Sequence, residues 1–281
     1  MKYQDIRKFS YKTERKVLRS FQHNFDMDNW LKSPYTCLKV RFYIEFASFF
    51  VFLIQNTKIK PNQISYLYAL AGLLGGAFIS LDNNNFILAG IFIIFFKVAI
   101  DGSDGLLARV KYKASNFGAA IDSWGGLVGE YCFVIGLGFY SFNMTENINF
   151  IYVTFFIVLL KAIDLKNYIL FYIGGVKYLN LRIIKEKIEN KLINKKKNNS
   201  NGVFDLLKNF IKNGFNYHGK TVDMILLFMM LELYYGKILV SHYFLCLYFL
   251  RGIVIFFGNV FLAQKKNFFT KVVKNEIKYN K

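Results

Sequence analysis

The stretch Asp101–Glu130, DGSDGLLARVKYKASNFGAAIDSWGGLVGE, closes one apolar segment, turns through a short basic link and opens the next. Acids here enter otherwise apolar surroundings. Asp101 and Asp104 are three residues apart, so at a helix end they share a face, and Gly105 follows where bulk would block a ligand. Asp122 falls about two turns into the next helix, which Ser115 or Asn116 is placed to cap. Three carboxylates at the edge of a bilayer are costly without something cationic between them. Arg109 and Lys113 supply part of that charge. A hard divalent cation, Mg2+ or Mn2+, supplies it better, because it prefers all-oxygen ligands.

Working outward, apolar stretches of about 20 residues recur at roughly 62–81, 86–103, 116–140, 149–173, 221–236 and 239–262. The expected fold is therefore all-α, a polytopic integral membrane protein of six transmembrane helices. A hydrophobic content of 54% with only two prolines agrees with this. The charges alternate between links. Twelve Lys and Arg precede the first span, three follow the second and six follow the last, and the link after the fourth is also rich in lysine. The opposite links, 82–85, 141–148 and 237–238, hold one cation, Lys237. By the positive-inside rule both termini face the cytoplasm, as in a bacterial inner membrane. The surplus of 37 Lys and Arg over 18 Asp and Glu thus reads as attraction to a membrane surface. Nucleic-acid binding would gather the cations on one folded face instead, so no nucleic-acid partner is expected.

Phe42 to Ile54 is apolar except for Glu45, but short, with basic residues at both ends. It reads as an amphipathic helix lying in the cytoplasmic interface, with a seventh span as the alternative. The expected organisation is a basic N-terminal segment with this helix (1–60), a six-helix membrane catalytic domain (61–263) with a cytoplasmic insert at about 177–218, and a basic tail (264–281). Within the insert, 185–201 is polar and rich in lysine and asparagine, a solvated loop. Met1 to Asp28 lacks the apolar core of a secretory signal. Cys37, Cys132 and Cys246 are too widely spaced for a zinc or redox pair.

The central stretch resembles the signature of the CDP-alcohol phosphotransferases, D-x2-D-G-x2-A-R-x8-G-x3-D-x3-D. It matches at Asp101, Asp104, Gly105, Ala108, Arg109, Gly118 and Asp122, seven of eight fixed positions. Lys60-Pro61-Asn62-Gln63-Ile64-Ser65 is similar to the opening of that family's first span, and six spans with the signature between the second and third is the family's topology. The resemblance implies transfer of a phospho-alcohol or phosphatidyl group from a CDP-linked donor to an alcohol with release of CMP, in phospholipid biosynthesis. It implies divalent metal on Asp101, Asp104 and Asp122, nucleotide against Asp104, Gly105, Ala108, Arg109 and Gly118, and Asp122 in the catalytic machinery. The partners are a CDP-linked donor, a lipid substrate and the membrane. Self-association as a homodimer is left open.

At the eighth position stands Gly126, where the family has the aspartate proposed to take the acceptor's proton and to help bind metal. Glu130, one turn deeper on the same side, is a substitute base, and Lys97, one turn deeper than Asp101 on the preceding helix, a substitute cation. Structural pairing of Glu130 with Lys97 or Lys161 is the alternative. Lys161, Asp164 and Lys166 could hold an acceptor phosphate or pair, and Asp223 and Arg251 could pair or snorkel. His218 reads as a loop histidine, and Gly72, Gly75 and Gly76 as close helix packing. Two other functions remain: a catalytically impaired relative that binds a CDP-linked ligand, and a small ion transporter using the intramembrane carboxylates.

Overall fold

A computed structural model describes residues 1–21, 34–112, 115–163, 220–236 and 240–265. Every regular element among them is α-helical. In chain order these are α1 (Tyr3–Phe21), α2 (Pro34–Ile54), α3 (Pro61–Ile79), α4 (Asn84–Val110), α5 (Asn116–Thr145), α6 (Asn149–Ala162), α7 (Lys220–Tyr235) and α8 (Ser241–Lys265). Each expected span thus has its helix, α3 to α8. Within α4, α5 and α8, the segments Asn84–Val110, Ala120–Thr145 and Ser241–Gly258 are long and apolar enough to cross a bilayer, which marks the chain as a membrane protein. The six-span expectation is met to that extent and no further. Asn62, Gln63, Ser65 and two tyrosines dilute α3, the described part of α6 has 14 residues, and α7 has 16.

The chain forms two compact units, Met1–Glu146 with Tyr217–Ser241, and Asn147–Asn216 with His242–Lys281. In the second unit α6 and α8 run in the same direction, Phe150 meeting His242 and Phe156 meeting Phe249. The insert 185–201 and the tail beyond 265 lie outside the described residues.

In the first unit α3 is the hub, packing along both α4 and α5. Glycine permits this closeness. A Cβ on Gly72 would come within 2.6 Å of the Gly129 Cα, one on Gly90 within 2.8 Å of the Gly75 carbonyl, and one on Gly136 within 2.5 Å of the Gly76 carbonyl. Helices in a membrane gain little from burying apolar surface against each other, so contact of backbone with backbone carries the packing. The expected glycine packing on α3 is thus present, with partners on α4 and α5.

The segment expected to lie in the interface is the second half of a longer helix. α2 begins at Pro34, runs alongside α4 and is covered by α1. Phe42 and Phe46 meet Phe96, whereas Val51 and Ile54 share a buried cluster with Leu106, Leu107 and Ile6. The two helices therefore run in the same direction over about a dozen residues. The interfacial reading is corrected to this extent: α2 packs along a span instead of lying flat across its end. Glu45 faces α1, accepting from Tyr3 (3.0 Å), Tyr11 (2.8 Å) and Arg7 (2.7 Å). The Arg7 hydrogen bond, reinforced by the two hydroxyls, holds the Glu45 carboxyl below its ordinary range.

Candidate functional site

The signature link is pinned from both sides. Pro61 opens α3, and the Gln63 side chain accepts from the Lys60 N–H at 2.8 Å, half of a capping box. The Lys111 Nζ, just beyond α4, donates to the carbonyls of Thr57 and Ile59 at 2.8 Å each. Of the two expected caps, Ser115 is the one used, its Oγ accepting from the Gly118 N–H at 3.0 Å. A Cβ on Gly118 would sit 3.0 Å from the Asn62 Oδ1, so the proline-asparagine opening and the signature glycine meet in space.

Between the signature halves of α4 and α5 the carboxylates converge. Asp101 lies within hydrogen-bonding reach of Asp122, and the charges of Asp104 and Asp122 both act on it. Two carboxyl groups meet in this way only with a proton or a cation between them. Asp104 is buried, with its oxygens occupied by the Ser65 hydroxyl and the Gly105 N–H. Arg109 folds back so that its Nε donates to the Gly105 carbonyl at 2.8 Å and its charge acts on Asp104. Among the described residues no three His, Cys, Asp or Glu side chains close around one point to form a metal cage. The donor set, all carboxylate oxygens, is of the kind that suits a hard divalent ion.

Deeper than the aspartates is a cavity of about 320 Å3 lined by Tyr68, Lys97, Asp101, Gly129, Glu130, Lys39 and Asp223, among others. Glu130 is half-buried on its wall, beside Asp101 and Lys97 as the sequence suggested. Lys39 and Tyr35 both bond to Asp223, tying α2 to α7, so Asp223 pairs and does not snorkel. Gly126 leaves its space to Tyr68: an added Cβ would have the Tyr68 Oη as its nearest neighbour, at 3.6 Å. That hydroxyl lies within hydrogen-bonding reach of Asp101.

Tyr68, Ser65 and Lys39 were not foreseen. Ser65 and Tyr68 are three apart on α3, a face the sequence marks only as interruptions in an apolar run. For Lys39 there was no signal, because its partner Asp223 is 184 residues away. Lys113, Asp164, Lys166 and His218 lie outside the described residues, and Lys161 and Arg251 belong to the second unit.

Comparison with known proteins bears on this geometry directly. Residues 58–181 match the family model of the CDP-alcohol phosphatidyltransferases. The matched stretch takes in α3, α4 and α5, the three helices that carry the signature aspartates, Gly118 and the proline-asparagine opening. The resemblance read from the signature is borne out. A CDP-alcohol phosphatidyltransferase domain implies phosphatidyl transfer from a CDP-linked alcohol, a transferase chemistry of membranes and phospholipid synthesis that is generally dependent on divalent metal. No curated protein matches the chain. Lys39 and Asp223, which also line the cavity, fall outside the matched residues.

Proposed function

We propose that this protein is an active CDP-alcohol phosphotransferase that moves a phospho-alcohol or phosphatidyl group to an alcohol and releases CMP at the cytoplasmic face of its membrane. The observation that carries the reading is the pairing of Asp101 with Asp122 across α4 and α5, with the charge of Asp104 acting on both, inside the matched domain and with Asp101 on the wall of the cavity.

Asp101, Asp104 and Asp122 would hold one Mg2+ or Mn2+. Bound there, such an ion neutralises the pyrophosphate and makes CMP a better leaving group. Gly105 and Ala108 leave the α4 face open to the nucleotide, and Arg109, already stationed over Gly105, has only to swing outward to pair with a phosphate. The cavity beyond Asp101 is the place for the acceptor hydroxyl, with Glu130 on its wall. Glu130 takes the hydroxyl proton as the new oxygen–phosphorus bond forms and the bond to CMP breaks. Helix packing and fixed charges supply the rest as positioning and electrostatics.

Gly126 favours one second reading, a relative that binds CDP-linked ligands without turning them over. The readings separate on the protein in nanodiscs with Mg2+ and a panel of CDP-linked donors. An active enzyme releases CMP, and Glu130→Gln slows release at least tenfold. A binding-only protein is protected against heat by CDP and Mg2+ yet releases none. Ion flux that ignores CDP compounds would point to a transporter instead.

A further inference from the structure

We infer that Lys97 is a built-in cation standing where a second divalent ion would otherwise bind the CDP pyrophosphate. This rests on the functional reading above, and it starts from how the lysine is housed. Lys97 lies in the middle of α4, one turn before Asp101, with 8% of its surface exposed. An ammonium inside a span is expensive and is kept where something uses or neutralises it.

The slot it occupies is shaped for it by two other helices. A Cβ on Gly129 of α5 would fall on the Lys97 Nζ, and one on Gly72 of α3 would lie 2.9 Å from its Cε. A side chain at Gly129 would push the lysine off this path, and Gly72, held to glycine by its contact with the Gly129 backbone, leaves the other side of the slot open. The Nζ sits 4.0 Å from the centroid of the Tyr68 ring, a cation–π contact that fixes its direction. The hydroxyl of the same tyrosine is the nearest neighbour of the missing side chain at Gly126. Tyr68 thereby links Lys97 to Gly126, the position where the family signature has a carboxylate, and the charges of Asp101 and Glu130 both act on Lys97.

Charge balance explains why the two changes belong together. A fourth signature carboxylate would match two divalent ions. With glycine at 126, the three remaining carboxylates are matched by one divalent ion and one ammonium, the charges of Glu130 and Arg109 offsetting each other. A second ion would find no carboxylate at position 126. The fixed ammonium draws the donor pyrophosphate toward Asp101 as a second ion would, without needing a carboxylate to hold it.

The test counts Mn2+ by electron paramagnetic resonance and measures CDP affinity on the purified chain in nanodiscs. Wild type should hold one Mn2+ per chain in the presence of CDP. Lys97→Met, similar in shape and uncharged, should still hold one but bind CDP at least tenfold more weakly at saturating Mn2+. Lys97→Met with Gly126→Asp should hold two and recover CDP affinity to within about threefold of wild type, since a Cβ at 126 meets only ordinary contact. Two ions on wild type, unchanged CDP affinity in Lys97→Met, or one ion on the double variant would each overturn the inference. A lysine with a purely structural role shifts thermal stability and moves neither readout. A wild type that fails to bind CDP at all sinks the functional reading itself, a different failure from two ions on a chain that binds it.

Discussion

Replacing Gly76 by alanine should loosen the α3–α5 contact that sets the depth of the site. The new Cβ would lie 2.5 Å from the Cys132 carbonyl carbon and 2.8 Å from its Cβ. Those neighbours are backbone or adjoin it, so no rotamer change can make room and the helices must part. Forcing an extra carbon into a packed contact costs about 1–3 kcal/mol, and contact with rigid backbone puts this case near the upper end. Alanine returns about 1 kcal/mol through its higher helix propensity. The net loss is about 2 kcal/mol, or roughly 4–8 °C in melting temperature for a chain of this order of size. Gly102→Ala is the control, because a Cβ there meets nothing within 4 Å and only the propensity gain remains. The assay is thermal unfolding of both variants in nanodiscs, followed by tryptophan fluorescence. Gly76→Ala melting at or above wild type would refute the backbone-contact account of α3 and α5.

Other consequences are as direct. Glu232 is fully buried and accepts the Tyr140 and Ser241 hydroxyls at 3.0 and 2.5 Å and two backbone N–H groups, so Glu232→Ala should destabilise by about 3 kcal/mol and Glu232→Gln by less, read by the same melts. The Glu45 carboxyl is held below its ordinary value of 4.5, so its hold on α1 is fully present above that pH and is lost as pH falls through the lower, folded value. A spin label at Lys8 should therefore gain mobility below about pH 4.5, with Glu45→Gln mobile at all pH values. Asp223→Asn removes the charge that Lys39 and Tyr35 share, and proteolysis of α2 should speed up about tenfold.

The sequence reading went furthest where a local pattern and a global constraint coincide. Asp101, Asp104 and Asp122 were visible as acids in an apolar run, and Ser115 as a cap, because each depends on spacing along one helix. Gly72 and Gly76 were visible as small residues, although their partners Gly129, Cys132 and Gly136 were not. α1 was missed because its charge, from Asp5 through Arg19, hides a helix that buries Ile6 completely. The start of α2 at Pro34 was missed for a related reason: Lys39 and Arg41 looked like a border, whereas Lys39 is inside the fold, neutralised by Asp223. Contacts between distant segments of the chain decide such cases. Tyr68 shows the same limit, since only the third dimension brings its hydroxyl to Gly126 and Asp101.

Release of CMP from a CDP-linked lipid or alcohol, measured in nanodiscs with Mg2+ for wild type, Asp101→Asn and Asp122→Asn, tests the central claim most directly. The carboxylate site on α4 and α5 predicts release by wild type, loss of at least a hundredfold in either variant, and none with chelator. Equal release from wild type and both variants, or release that persists without divalent metal, would contradict it.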